Sequence, residues 1–204
     1  MVDDFPRPLP VQVQGSALAR SLFEALGWRI AYEGLPVRQG VLIVYPHTSN
    51  WDFFILLLAK WAVGLPLKFW VKDSLFAVPV LGAWLRWLGG VPVERGSPHG
   101  MVGEMVRTLE QSRARDTFFW LALTPEGTRK WTPGWRSGFY QVALGAGVPL
   151  GTCCVNFRDK TVVVSRFFTL SGEVQADMQR IAQAFQGATG KHATQAAPIQ
   201  LIEK

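Results

Sequence analysis

Apolar residues along the chain recur in two periods, which predict helices and strands. Near the start an apolar residue returns at every fourth position, which predicts an amphipathic helix over residues 17–30. The stripe consists of Leu18, Leu22, Leu26 and Ile30, with Ala19 and Phe23 beside it. Two later runs, 41–45 and 118–123, are wholly apolar and have the length of strands buried on both faces.

Helical and strand-like patterns alternate along the rest of the chain. The predicted strands are 41–45, 67–71, 91–93, 118–123, 149–157 and 161–168. The predicted helices are 50–62, a tryptophan-rich stretch ending at 88, 101–113, 138–145 and 174–185. This alternation is typical of the α/β class. It predicts a single-domain sandwich with a largely parallel or mixed central sheet flanked by helices.

Four parts of the chain differ in their patterns. Residues 1–15 carry three prolines and predict an extended arm. Residues 16–34 hold the amphipathic N-terminal helix, and residues 35–188 form the main domain. Residues 189–204 show no period and predict a loose C-terminal tail. One folded domain with short appendages is what a chain of 204 residues allows.

The composition is that of a folded protein in a reducing compartment. Apolar residues make up 49% and charged residues 18%, which excludes the polar-rich composition of disordered chains. The uncharged run 137–157 is broken by glycines and a proline, so we expect no transmembrane helix. Cys153 and Cys154 are neighbours, which rarely bridge each other, and we see no secretory signal. These features predict a cytoplasmic protein with free thiols.

The chain also has a net positive charge and many aromatic residues, which bear on its expected partner. Lys and Arg number 21 against 15 Asp and Glu, a net charge of +6, and the chain holds nine Trp and thirteen Phe. Tryptophan together with basic residues suits a phospholipid headgroup region. Nucleic acid is not an expected partner, because the basic residues are scattered and accompany no recognition motif. An anionic membrane surface is the expected partner, and helix 17–30 either lies in that interface or packs on the sheet.

The first candidate for chemistry is the pair His47 and Asp52, which follows the predicted strand 41–45. The two side chains meet only if His47 lies in the loop and Asp52 in the first helical turn, with Ser49 as the N-cap. Asp52 then orients the imidazole, and His47 accepts a proton from an alcohol. The alternative is that Ser49 and Asp52 form a capping box and His47 is an ordinary loop residue.

Two further segments carry residues suited to phosphate. The first, 124–130, follows strand 118–123 and offers Gly127 for close approach, the Thr128 hydroxyl and the Arg129 guanidinium. Its alternative interpretation is a charged turn. The second, 89–95, is a glycine-flanked apolar step that ends in Arg95 and is a weak signal alone.

Taken together, the three segments resemble the glycerolipid acyltransferases, which include the glycerol-3-phosphate and lysophosphatidic acid acyltransferases. His47-x4-Asp52 is similar to that family's first block, 90–95 to its second and 125–129 to its third. The stretch 135–140, which reads Trp-Arg-Ser-Gly-Phe-Tyr, is similar to the short bacterial members.

The resemblance implies a glycerol-3-phosphate acyltransferase-like fold and an O-acyltransferase of phospholipid biosynthesis or remodelling. Such an enzyme moves an acyl group from acyl-CoA or acyl-carrier protein to the hydroxyl of a phosphate-bearing acceptor such as lysophosphatidic acid. The thioester is a co-substrate, and no cofactor or metal is implied. The implied catalytic residues are His47 and Asp52, and the implied phosphate-binding residues are Arg95, Glu126, Gly127, Thr128 and Arg129.

Several alternatives stay open under this resemblance. A non-catalytic peripheral lipid-binding protein with the same fold is the other functional hypothesis. In either case we expect a peripheral protein on the cytoplasmic face of a membrane. Six aromatic residues either line an acyl pocket, contact the membrane interface or belong to the core. They are Trp61, Phe69, Trp70, Phe76, Trp84 and Trp87.

Overall fold

A computed structural model describes residues 4–93 and 98–202, which form seven strands and six α-helices. The strands are β1 (Arg29–Tyr32), β2 (Gln39–Tyr45), β3 (Lys68–Lys72), β4 (Gly90–Val93), β5 (Phe119–Leu123), β6 (Leu150–Asn156) and β7 (Thr161–Phe168). The helices are α1 (Ala17–Ala25), α2 (Trp51–Val63), α3 (Pro79–Leu88), α4 (Pro98–Ala114), α5 (Gly138–Ala146) and α6 (Val174–Ala184).

The strands of the described residues form one sheet in the order β1-β7-β6-β2-β5-β3-β4. Strands β6, β2, β5, β3 and β4 are parallel to one another. Strand β7 pairs antiparallel with β6, and β1 pairs parallel with β7, so these two run the opposite way. The predicted α/β class with a largely parallel, mixed sheet is therefore confirmed.

Helices cover both faces of the sheet. All seven residues of β2 are buried, and alternate residues of this strand belong to two separate cores. Phe23 of α1 and Ile55 of α2 pack in one core, on the side of Leu42. Helices α4, α5 and α6 pack in the other, on the side of Val41. A strand covered on both sides has little room for polar side chains, which explains the apolar run 41–45; the buried Gln39 at its start donates hydrogen bonds to the backbone oxygens of Ser112 and Thr117.

The N-terminal helix is shorter than the periodicity predicts. Helix α1 ends at Ala25, and Gly27 adopts a left-handed φ of +78° that reverses the chain. Residues 29–32 then form β1, in which Ile30 pairs with Val162. The prediction of a helix up to residue 30 is wrong, because Ile30 continues the apolar stripe but belongs to the sheet.

The predicted apolar stripe of α1 is divided between core and solvent. Ala19 and Phe23 are buried, and Phe23 packs in the core on the side of Leu42. Leu18, Leu22 and Leu26 are exposed, Leu18 to 80%. Part of this helix therefore stabilises the fold, while its outer apolar side chains remain at least half exposed.

The C-terminal segment (residues 189–202) packs against the domain. Ala197 is 1% exposed, and Leu201 forms a parallel bridge with Trp135. The prediction of a loose tail is wrong, because backbone hydrogen bonds and burial hold this segment without any side-chain periodicity.

Candidate active site

Two loops meet where the central strands end. Strands β2 and β5 are parallel neighbours with Ile43 opposite Leu123. Their carboxyl ends therefore lie at the same edge of the sheet, the usual position of a ligand site in this class. The loop after β2 (the His47 loop, residues 46–50) and the turn after β5 (the Glu126 turn, residues 124–130) face each other there.

His47 and Asp52 are in contact. Nδ1 of His47 lies 3.1 Å from Oδ2 of Asp52, without the geometry of a full hydrogen bond. The His47 side chain is 13% exposed and that of Asp52 is 1% exposed. Such contacts often tighten only when substrate is bound. With Nδ1 turned to the carboxylate, Nε2 is the nitrogen left for a substrate proton.

The Asp52 carboxylate also holds the loop that carries His47. Its Oδ2 accepts hydrogen bonds from the backbone N–H groups of Thr48 (2.8 Å) and Ser49 (2.9 Å). Helix α2 begins at Trp51, and Asn50 rather than the predicted Ser49 occupies the N-cap position. The Ser49 hydroxyl accepts instead from the N–H of Trp51. Asp52 thus combines the local role of a helix-start carboxylate with the role of facing the imidazole.

Glu126 connects its own turn to the His47 loop through a buried hydrogen bond. It is 2% exposed, and its Oε2 accepts a 2.6 Å hydrogen bond from the N–H of His47. Its Oε1 accepts from the N–H of Ala197 at 2.9 Å. Burial raises the pKa of Glu126, while the two backbone donors act in the opposite direction. Both carboxylate oxygens accept backbone hydrogen bonds, so Glu126 supports the His47 loop and ties it to the C-terminal segment.

The rest of the Glu126 turn exposes Arg129. Gly127 has a φ of +67°, and the Thr128 hydroxyl accepts from the N–H of Lys130. Arg129 lines a cavity of about 380 Å³ together with residues 48–51. Among the predicted phosphate-binding residues that the structure describes, Arg129 is the one that lines this cavity. Arg95 lies outside the described residues.

A comparison with protein families decides the identity of the domain. Residues 29–156 match the model of the Acyltransferase family. The chain belongs to the Acyltransferase family. The matched range contains His47, Asp52 and the Glu126 turn, so the two loops that meet at the sheet edge lie within the family's common region.

Similar proteins of known name are 1-acyl-sn-glycerol-3-phosphate acyltransferases. A chloroplastic one from Brassica napus is 29% identical over 108 residues, which cover 51% of this chain and 30% of that protein. The one from Escherichia coli is 29% identical over 127 residues, 59% of this chain and 48% of that protein. The chain matches less than half the length of these relatives.

The fold is also that of a solved member. The crystal structure of the 1-acyl-sn-glycerophosphate acyltransferase PlsC from Thermotoga maritima superposes with a TM-score of 0.50 at 17% identity. The alignment covers 85% of this chain and 78% of that one. This likeness confirms the predicted acyltransferase-like architecture.

The C-terminal segment contributes residues that sequence reasoning did not place in the site. Lys191, His192 and Gln195 line the same cavity as Arg129. They lie beyond the range matched by the family model. No motif or period marks them in the sequence, where His192 is a polar residue in a stretch without pattern.

The six aromatic residues with open roles divide among three environments. Phe76 is buried and Phe69 is half-buried against the Phe53 ring, whereas Trp61, Trp84 and Trp87 are exposed to 38%, 40% and 72%. Trp70 lines a separate cavity of about 500 Å³ between α4 and strands β3 to β5, with Met101 among its apolar walls. Solvent-exposed and cavity-lining positions are thus both occupied by this group.

Three further properties bear on the chemistry. Among residues 4–93 and 98–202, no three His, Cys, Asp or Glu side chains cluster as metal ligands would. No helix in the described part of the chain combines the length and the hydropathy needed to cross a bilayer. Cys153 and Cys154 are unbridged, and burial raises the pKa of Cys154 to about 11, which keeps this thiol protonated.

Proposed function

We propose that the protein transfers a fatty acyl group from an acyl thioester to the hydroxyl of a phosphate-bearing glycerolipid acceptor such as lysophosphatidic acid. The contact between His47 and Asp52 at the carboxyl end of β2 carries this proposal. Membership of the Acyltransferase family and the names of the similar proteins support it.

In the proposed reaction His47 acts as the general base. Its Nε2 takes the proton of the acceptor hydroxyl while the hydroxyl oxygen attacks the thioester carbonyl carbon. The new C–O ester bond forms, the C–S bond breaks, and the thiolate leaves with the electron pair and takes up a proton. The buried Asp52 carboxylate stabilises the imidazolium that exists between these steps.

The proposed acceptor site lies at Arg129. A guanidinium offers a planar fork of donors that matches a phosphate group. Holding the phosphate there fixes the acceptor relative to His47, and such positioning contributes several kcal/mol to a reaction between two bound substrates.

Lipid analysis after incubation tests the proposed function. Purified protein is given mixed lysolipids together with acyl-CoA or acyl-carrier protein thioesters, and the products are identified by mass spectrometry. We expect a new diacyl lipid whose acceptor carries a phosphate. Lipids retained by the protein without any conversion would favour the non-catalytic lipid-binding protein instead.

The substitution Arg129→Lys is expected to raise the KM of a phosphorylated acceptor about five- to tenfold, because lysine keeps the charge but loses the bidentate fork. The KM of the thioester should change little. Steady-state kinetics with each substrate varied in turn measures both values. A change confined to the thioester would assign Arg129 to the donor's phosphates.

We also propose that the protein binds the cytoplasmic face of a membrane peripherally. Helices α1, α2 and α3 carry large apolar side chains that are exposed, and the Trp61 and Trp87 rings lie 5.9 Å apart across α2 and α3. Arg20 and Arg86 are exposed on the same helices. We define the membrane-facing surface as Leu18, Leu22, Leu26, Trp51, Phe54, Trp61, Val80, Trp84 and Trp87. Apolar and indole groups beside basic residues suit an anionic interface.

The substitutions Leu18→Ser and Trp87→Ser are expected to weaken binding to anionic vesicles about tenfold each, because each removes apolar area that the bilayer would cover. Vesicle co-sedimentation measures the affinity. Leu144→Ser, on the opposite helix layer in α5, is the matched control, since Leu144 is also exposed. Equal losses in all three variants, or none, would contradict the assigned surface. Single substitutions are preferred to a deletion of residues 1–30, because the deletion would also remove the buried Phe23 from the core.

A further inference from the structure

The cavity beside the His47 loop is positively charged. Its lining contains Arg129, Lys191 and His192, and it contains no carboxylate. The neighbouring carboxylates of Asp52 and Glu126 are buried and already accept backbone hydrogen bonds. In the part of the chain that the structure describes, no ion pair engages Arg129 or Lys191. A volume of about 380 Å³ lies within the range of small-molecule sites.

The C-terminal segment is fixed to the site rather than lying loosely over it. The N–H of His192 donates to the Thr48 hydroxyl at 3.2 Å. The Gln195 amide, oriented by the surrounding carbonyls, donates to the backbone oxygens of Arg129 (2.8 Å) and Thr48 (3.2 Å). Gly190 permits this approach, because a Cβ there would lie 2.6 Å from the Thr48 hydroxyl oxygen. These contacts hold residues 190–195 across both the His47 loop and the Glu126 turn.

A second set of contacts fixes the same segment farther along the chain. Ala197 donates its N–H to Glu126 and accepts a 3.0 Å hydrogen bond from the Tyr45 hydroxyl. Burial raises the pKa of Tyr45 to about 12, so the hydroxyl remains a donor. The segment is therefore anchored on both sides of Lys191 and His192 and their cavity.

Lys191 is held at the mouth of the cavity. Its ammonium nitrogen lies 4.9 Å from the centroid of the Trp51 ring, at the start of α2. A cation–π contact restrains a side chain that would otherwise sample many rotamers, without neutralising its charge. The ammonium is thereby kept near Arg129 and free to pair with an anion.

We propose that Lys191 and His192 complete, with Arg129, a site for a phosphate group of the substrate, so that the C-terminal segment determines substrate specificity. The identity of the ligand as a substrate rests on the proposed acyl transfer. The phosphate belongs either to the lysophospholipid acceptor or to the thioester donor, and kinetics separates the two sources.

The substitution Lys191→Gln tests the proposal, with Arg115→Gln as the charge-matched control. Arg115 is exposed and precedes β5, so it lies toward the opposite edge of the sheet. We expect Lys191→Gln to raise the KM of one substrate about five- to twentyfold, as loss of a charge-assisted hydrogen bond does, while kcat changes little. A rise for the acceptor assigns the phosphate to the acceptor, and a rise for the donor assigns it to the donor. Unchanged KM values, or equal effects in Arg115→Gln, would overturn the proposal.

A binding measurement separates this proposal from the proposed function. Titration calorimetry with glycerol 3-phosphate, and with glycerol as the uncharged control, requires no turnover. We expect the wild-type protein and Arg115→Gln to bind glycerol 3-phosphate alike, and Lys191→Gln and His192→Asn to bind it at least fivefold more weakly. Equal binding by all variants would refute the phosphate site even if acyl transfer is observed, and so would an absence of binding by the wild type together with unchanged KM values in Lys191→Gln. Weaker binding of glycerol 3-phosphate by Lys191→Gln and His192→Asn would support the phosphate site even if the protein transfers no acyl group.

Discussion

Replacing His47 with alanine is expected to lower kcat about 10²- to 10⁴-fold, the usual contribution of a positioned general base. The side chain is only 13% exposed, yet its imidazole makes no hydrogen bond of full geometry in the described structure. Its removal should therefore cost little stability. The measurement is steady-state turnover of a thioester with a phosphorylated acceptor.

The control for this prediction is to show that the variant is folded. Circular dichroism and the melting temperature of His47→Ala should match those of the wild type, because the loop is held by its backbone N–H bonded to Glu126. Asp52→Asn is the companion variant, and it should also lose activity, since a neutral amide does not stabilise the imidazolium. Activity of a folded His47→Ala protein within about threefold of the wild type would remove His47 from the proposed reaction.

The main domain was predictable because its sheet is covered on both faces. Strand β2 is buried throughout, so its apolar run is unmistakable, and strand β7 was predicted over its observed range. Strand β1 was not predicted, because it has only four residues and because these alternate between exposed and half-buried positions. These four residues also come soon after α1, and Ile30 falls at the next position of the apolar stripe of that helix. Residues 29–32 form a strand because they pair with β7, and no local sequence pattern reveals such pairing.

The candidate site was predictable where it depends on strand order. His47 and Arg129 follow two apolar strands, and a parallel sheet brings the ends of its strands to one edge. The support by Glu126 was not predictable, because it depends on which backbone N–H groups face a buried carboxylate. The role of residues 189–202 was hidden for the same reason. Backbone contacts to Thr48 and Glu126 leave no signature in side-chain type.

Replacing Glu126 with alanine is expected to destabilise the protein by about 2–5 kcal/mol, because two backbone donors, of His47 and Ala197, lose their acceptor. The His47 loop should also shift, and a displacement of about 1 Å can lower kcat about 10²-fold. Denaturant unfolding and turnover measure the two effects. Glu126→Gln keeps the volume and one acceptor oxygen, so it should fall between the wild type and Glu126→Ala. Full activity and stability of Glu126→Ala would contradict the supporting role.

The pH dependence of folding gives a sharper test of the same carboxyl group. Burial raises the pKa of Glu126 above its ordinary value of 4.5, so the folded state holds this proton more tightly than the unfolded chain does. The stabilisation linked to the proton is therefore complete below the unfolded pKa and is lost as the pH rises through the folded pKa. Glutamine does not titrate. The unfolding free energy of the wild type minus that of Glu126→Gln should fall as the pH rises above 4.5, and level off beyond the raised pKa. A difference that stays flat over this interval would show that Glu126 is not buried as an ionisable group beneath His47.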